Sequence, residues 1–268
     1  MRRRPEASSL STLLLLAIIV PALAADAAPR LAVAGTAARA LRAASAGDDA
    51  AGSLQRRRQR PAPRRKAPPP LTEEQQEAVD RNAQGVELAQ QGKMEEALAL
   101  FVEAARMYPE LPEAHYNRGV AHRAMGQDAA AAASLRTVIR LRPGHAEAHY
   151  QLGELLFGQA RATEAAAEYA AAVEANPEFA AAWLSLGNAR AALQELRPSI
   201  DAYRHASELA PQNSEGHFRL AVALYGGEEY AEAWEHVHMA QDLDLEVNPA
   251  FLEALREQLP EPERHQKE

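Results

Sequence analysis

Proline recurs every 34 residues through the middle of the chain, and this period constrains the fold more than any other feature of the sequence. The series Pro109, Pro143, Pro177 and Pro211 keeps the spacing through three intervals. Four more columns of small or apolar residues share the register, and agreement among five columns indicates an array of repeated structural units. These columns are Gly85, Gly119, Gly153, Gly187 and Ala221; Ala97, Ala131, Ala165, Ser199 and Ala233; Phe101, Leu135, Tyr169, Tyr203 and Val237; and Ala104, Val138, Ala172, Ala206 and Ala240.

Each unit predicts two amphipathic helices joined by a short turn. In the first unit we expect helices over residues 78–91 and 94–108, and Pro109 ends the second because proline cannot continue a helix. Thr72 and Gln75 match a capping box, which places the start of the first helix near residue 73. The small residues of the glycine and alanine columns are expected where paired helices approach closely.

These columns resemble the tetratricopeptide repeat, a helix–turn–helix unit of the same length. The sequence WLSLG at residues 183–187, followed by Tyr203, Ala206 and Pro211, carries the fullest likeness. The resemblance implies an all-α fold, a right-handed α-solenoid of about five repeats followed by a C-terminal capping helix. Its divisions are a repeat domain at 71–259, with repeats at 78–111, 112–145, 146–179, 180–213 and 214–247, a cap at 249–259 and a charged tail at 260–268.

The first 24 residues are typical of an export signal. Three arginines at residues 2–4 precede an apolar run at residues 10–20, and Ala22-Leu23-Ala24 fits the small-x-small pattern of a cleavage site. We expect a signal peptide at 1–24 and a periplasmic or otherwise extracytoplasmic protein. The alternative is that this segment stays uncleaved as an N-terminal membrane anchor.

Residues 25–70 are rich in alanine, arginine and proline and carry a net charge of +7, whereas residues 71–268 carry −17. The segment has too few large apolar residues to offset its chain entropy, so it predicts a disordered basic linker. The tract from Arg56 to Lys66 could contact an anionic membrane surface. Nucleic acid is not expected as a partner if the protein is exported.

The tetrapeptide EAHY occurs at residues 113–116 and 147–150, and EGHF occurs at 215–218, which raises the question of a metal site. His115, His149 and His217 fall in the same repeat column as Trp183, which predicts a packing role. Neighbouring helices stand about 8–10 Å apart, so successive histidines cannot share one ion. The chain also has no cysteine, and we expect neither a metal nor another cofactor.

In the repeat family the first helices line a concave groove, and the resemblance implies that the residue after the Trp/His column projects into it. The inferred surface is an apolar and aromatic stripe bordered by carboxylates, which suits a basic or apolar peptide or helix. The alternative is that its aromatic residues pack between adjacent repeats. The groove positions are Asn82, Glu113, Tyr116, Glu147, Tyr150, Glu154, Leu184, Asn188 and Phe218.

Two functional hypotheses follow from the sequence. The first is a non-enzymatic scaffold or adaptor in the cell envelope that binds protein partners, since no nucleophile–base motif, phosphate-binding loop or metal-ligand set is present. The second is a spacer or self-associating structural protein, held on an anionic surface by its basic linker. A repeat fold does not by itself choose between them.

Overall fold

The computed structural model describes residues 70–263, which form eleven α-helices and no strand. The predicted signal peptide, the predicted linker up to residue 69 and the last five residues of the chain lie outside this range. The helices are α1 Glu73–Gln90, α2 Met94–Met107, α3 Pro112–Ala124, α4 Asp128–Leu141, α5 Ala146–Gly158, α6 Ala162–Ala175, α7 Ala180–Ala192, α8 Leu196–Leu209, α9 Ser214–Gly226, α10 Tyr230–Asp242 and α11 Pro249–Gln258.

Each helix from α1 to α10 packs mainly against its neighbours in the chain, and contacts between more distant helices are few. This quasi-linear order is the architecture of an α-solenoid, in which each repeat touches only adjacent repeats. The all-α solenoid that the sequence predicts is confirmed. The capping box is confirmed as well, because Thr72 and Gln75 exchange side-chain and backbone hydrogen bonds at the start of α1.

The glycine column faces the aromatic column of the second helix in the same repeat. A Cβ atom built on Gly85 would lie 2.6 Å from a ring carbon of Phe101, and one on Gly153 would lie 2.7 Å from Tyr169. Both distances are too short for carbon atoms in contact. In the fifth repeat, alanine replaces glycine and valine replaces the aromatic residue. The helices therefore approach closely where a large ring must fit against bare backbone.

The turn inside each repeat holds one residue in the left-handed region, and this position also keeps the 34-residue period. Gly92 and Gly126 occupy it in the first two repeats, with φ of 79° and 71°. The next three repeats place Ala160, Gln194 and Glu228 there, with φ between 59° and 62°. A left-handed residue just after a helix satisfies its terminal carbonyl groups, and glycine adopts that conformation without strain.

The two ends of the solenoid differ from the repeats between them. Asp80, Gln84 and Glu87 are exposed on α1, whereas the equivalent positions of the third to fifth repeats are buried. At the other end α11 continues the register as a half-repeat, with Phe251 in the Trp/His column and Leu255 in the glycine column, both buried. A leucine fits the glycine column there because no second helix of the same repeat follows α11 in residues 70–263.

No helix between residues 70 and 263 is both long and apolar enough to cross a lipid bilayer.

Candidate functional site

The Trp/His column joins the start of each first helix to the proline turn before it. In repeats two to five a ring N–H donates a hydrogen bond to the carbonyl oxygen of the proline six residues earlier. The bonds join His115 to Pro109, His149 to Pro143, Trp183 to Pro177 and His217 to Pro211, with donor–acceptor distances of 2.8–3.0 Å. A carbonyl only accepts, so Nε2 of each histidine carries a hydrogen. The three histidines are buried, so they are structural elements of the repeat, as the column position predicted.

The second nitrogen of these histidines meets a different environment in each repeat. Nδ1 of His115 is buried without a hydrogen-bond partner, and burial lowers the pKa of this residue. Nδ1 of His149 lies 2.7 Å from a carboxylate oxygen of Glu168, and this hydrogen bond raises the pKa of His149. Nδ1 of His217 lies 3.0 Å from Nδ1 of His236. Among residues 70–263 no three metal-ligating side chains come together.

The predicted groove residues share one face of the first helices, here called the first-helix face. Its aromatic members do two things at once: they pack against the next repeat and remain partly exposed. Tyr116 stacks on His145 with ring centroids 5.1 Å apart, and Tyr150 lies 4.9 Å from Phe179 by the same measure. Phe218 meets Phe251 of the cap edge-on at 5.7 Å. Burial raises the pKa of Tyr116 to about 12, so its hydroxyl stays protonated at neutral pH.

Leu184 and Asn82 also contact neighbouring repeats from the first-helix face. Leu184, which is partly buried, packs against the apolar cluster of the last repeat and cap. Asn82 accepts a hydrogen bond of 2.9 Å from the amide of Asn117 in the second repeat. The residues that follow the Trp/His column therefore connect adjacent repeats, and each also keeps part of its side chain exposed.

One turn further along, Glu154 and Asn188 serve tyrosines of the second helices. Glu154 accepts hydrogen bonds from the Tyr169 hydroxyl at 2.5 Å and from Ser185 at 3.2 Å. Asn188 accepts from the Tyr203 hydroxyl at 2.9 Å. In the other repeats valine stands opposite an apolar residue, in the pairs Val86–Phe101, Val120–Leu135 and Val222–Val237. This column therefore holds a polar residue only in the repeats whose second helix presents a tyrosine hydroxyl to it.

The carboxylates of the first-helix face are mostly paired with arginine. Glu113 forms an ion pair with Arg142 at 3.0 Å, and Glu154 lies 3.8 Å from Arg123, which also donates to Gln151. Glu147 is exposed, and its nearest partner is His145 at 3.4 Å. Helices α3, α5, α7 and α9 carry Glu113, Glu147, Glu154 and Glu215 together with Arg118, Arg123, Arg190 and Arg219. Arg118 and Arg190 bond to Ser134 and to the Pro198 carbonyl of the second helices, so they do not offset the carboxylates of this face.

Sequence reasoning did not identify the residues that complete this face. His145 and Phe179 stand directly before α5 and α7, and Nδ1 of His145 also caps α5 by accepting a hydrogen bond from the backbone N–H of Ala148. Their signal was present in the sequence, because they follow the proline column by two residues. A separate cavity of about 220 Å³ lies between α4, α5 and the start of α6, and none of the predicted groove residues lines it.

The sequence matches the family model described as tetratricopeptide repeat over residues 82–146, 121–178 and 150–204. Among curated proteins, a search by sequence found no significant match.

Solved structures share the fold. MamA from Desulfovibrio magneticus RS-1 is 26% identical and has a TM-score of 0.57, with 65% of this chain and 96% of MamA covered. PilF from Pseudomonas aeruginosa is 20% identical, with a TM-score of 0.58 over 68% of this chain and 85% of its own. YrrB, described as a repeat protein with an unusual peptide-binding site, is 20% identical, with a TM-score of 0.55 over 62% and 86%.

Proposed function

The chain belongs to the tetratricopeptide repeat family, and we propose that it is a non-enzymatic scaffold that binds an apolar segment of a partner protein along the first-helix face. The observation that carries the proposal is the row of partly exposed side chains Tyr116, Tyr150, Leu184 and Phe218, one per repeat. Large rings with few rotatable bonds are effective anchors at protein interfaces. YrrB, which shares the fold, is described as having a peptide-binding site, and this supports a peptide ligand here.

Charge favours an apolar partner over a basic one. Glu113 is paired with Arg142 and Glu215 with Arg219, so the face from the second to the fifth repeat offers little unpaired negative charge to attract a basic peptide. Glu154 is also occupied by Tyr169 and Ser185. Shape and apolar contact are therefore expected to dominate the affinity.

We place this activity in the cell envelope, on the strength of the export signal at residues 1–24. Protease protection of the protein in intact cells, lost when the outer layer is opened, is the result expected of an extracytoplasmic protein. Digestion only after complete lysis would show that the protein is not in the cell envelope, and the binding proposal would be unaffected.

The binding proposal is tested with random peptides displayed on phage and selected on the purified full-length protein. Ala181→Arg is the informative variant, because Ala181 is exposed on α7 and its replacement removes no buried contact. Ala167→Arg is the matched control on α6, a second helix, where the wild-type residue is also exposed. We expect the selected apolar peptides to bind Ala181→Arg at least about tenfold more weakly, since a charge on the contact surface must be desolvated. Equal binding by wild type and both variants would rule out the first-helix face.

A second candidate function rests on the contrast between the linker and the repeats in net charge. In this proposal the tract from Arg56 to Lys66 holds the protein on an anionic surface and the repeats act as a spacer. Replacement of Arg56, Arg57, Arg58 and Arg60 by serine should then abolish sedimentation with vesicles of anionic lipid while peptide binding persists. Self-association by end-to-end stacking has little support, because Asp80, Gln84 and Glu87 make the first end polar.

A further inference from the structure

Two histidines face each other between the helices of the fifth repeat. His217 on α9 and His236 on α10 place their Nδ1 atoms 3.0 Å apart, with ring centroids at 5.2 Å and ring planes inclined by 20°. His217 is 4% exposed, and the side chain of His236 is 14% exposed. This contact between α9 and α10 is therefore shielded from water, which could otherwise replace it.

The hydrogen bond between the two imidazoles can form only in some of their protonation states. Nε2 of His217 donates to the carbonyl oxygen of Pro211 at 3.0 Å, so in the neutral ring Nδ1 is a bare acceptor. His236 must then supply the hydrogen from its own Nδ1. One further proton can be held at Nε2 of His236 without breaking this bond. When both rings are doubly protonated, two N–H groups and two positive charges face each other at hydrogen-bond distance.

The groups around the pair offset this repulsion only in part. From α8, Arg204 adds a positive charge, and it binds Glu232 of α10 at 2.7 Å. Glu232 is the nearest carboxylate, at 3.9 Å from Nε2 of His236. On α9, Glu215 pairs with Arg219 at 2.7 Å, and from the cap Arg256 lies over Trp234. Burial first, and then the His217 imidazole, lower the pKa of His236 to about 4.

We propose that the His217–His236 pair makes the fifth repeat and its cap an acid-labile unit that loosens from the solenoid before the third repeat does. Loss of the α9–α10 contact frees the segment that carries Phe218 on the first-helix face, and α11 has its main aromatic contacts with this segment, through Phe218 and Tyr225. In a solenoid each repeat is held only by its neighbours, so a terminal repeat can open while the rest stays folded.

The third repeat responds to acid in the opposite direction although its histidine occupies the same column. His149 presents Nδ1 to the carboxylate of Glu168 at 2.7 Å, so a proton on that imidazole adds an ion pair between α5 and α6. One column of the repeat is thus acid-strengthened in the third unit and acid-weakened in the fifth. This contrast supplies an internal reference for the experiment.

The test is hydrogen exchange of the full-length protein, resolved by mass spectrometry into peptides and corrected for intrinsic rates, at about pH 7 and about pH 4. We expect the protection of residues 214–258 to fall at least about tenfold relative to residues 146–175 on acidification, as one added charge repulsion predicts. In His236→Asn the amide can still donate to Nδ1 of His217 but takes up no proton, so the relative loss should disappear. His205→Asn, which alters a half-exposed imidazole beside Trp183, should behave as wild type.

Two outcomes would overturn the proposal. One is parallel loss of protection in both segments of the wild-type protein, and the other is an unchanged acid response in His236→Asn. Imidazole proton NMR of the wild-type chain gives a check that needs no variant. The His236 imidazole should titrate well below the ordinary histidine pKa of about 6.5, and an ordinary midpoint for His236 would also overturn the proposal.

Discussion

The hydroxyl of Tyr169 donates a 2.5 Å hydrogen bond to Glu154, across the two helices of the third repeat. Both residues belong to repeat columns, and the same two columns hold Val86 and Phe101 in the first repeat. The carboxylate of Glu154 therefore has a structural partner in addition to its place on the first-helix face. This relationship separates what holds the solenoid together from what a ligand could contact.

A double-mutant cycle tests that pairing. Glu154→Val leaves the buried Tyr169 hydroxyl without its acceptor and should cost about 1–3 kcal/mol of unfolding free energy. Tyr169→Phe should cost about 1 kcal/mol. The double variant recreates the valine–phenylalanine pair of the first repeat, so its cost should be clearly below the sum of the two. Urea unfolding followed by circular dichroism provides the values, and strict additivity would show that the two side chains do not interact.

In the glycine column, a ring on the facing second helix leaves no room for a side chain. Gly187→Ala places a methyl group inside the contact distance of the Tyr203 ring and should destabilise the protein by about 1–3 kcal/mol. Tyr203→Val in the same chain should recover part of this loss, because Ala221 and Val237 form that pair in the fifth repeat. Gly158→Ala is the control: nothing lies within 4 Å of its added carbon, so no loss of the urea midpoint is expected.

The pKa values of the two buried histidines in the second and third repeats should lie on opposite sides of the ordinary histidine value of about 6.5. The hydrogen bond to Glu168 raises the pKa of His149. Its contribution to folding stability is therefore complete below about pH 6.5 and is lost as the pH rises through the raised pKa. Burial lowers the pKa of His115. Its contribution to folding stability is therefore present above about pH 6.5 and is lost as the pH falls through the lowered pKa. Imidazole NMR titration measures both. A His149 midpoint that stays raised in Glu168→Gln would contradict the assigned cause.

The left-handed turn position offers a stabilising substitution. Gln194 has φ of 61°, and Gln194→Gly removes a steric cost of about 1–2 kcal/mol while adding about 0.5–1 kcal/mol of chain entropy. The net gain should be about 0.5–1 kcal/mol, seen as a higher urea midpoint. Gly126→Ala makes the reverse change at φ of 71° and should lower the midpoint. Equal midpoints for the two variants would show that the turn relaxes to avoid the strain.

Sequence reasoning located the helices well because their signals are local. The first unit was expected at 78–91 and 94–108, with a start near residue 73, and the helices run over Glu73–Gln90 and Met94–Met107. The assignment of the histidines to a packing column also holds, since all three are buried. That the first-helix face binds a ligand stays a prediction. Its aromatic residues pack between repeats and are partly exposed, so the two alternatives are not exclusive.

The sequence by itself determined the repeat, the close approach of its paired helices and the C-terminal capping helix. These follow from periodicity and side-chain size, which depend only on positions within one unit. Tertiary structure alone decided which partner each equivalent residue meets: Glu168 for His149, His236 for His217 and none for Nδ1 of His115. The reason is physical. A period fixes the column of a residue, but the rotation of one helix against the next decides which side chain lies within hydrogen-bond distance.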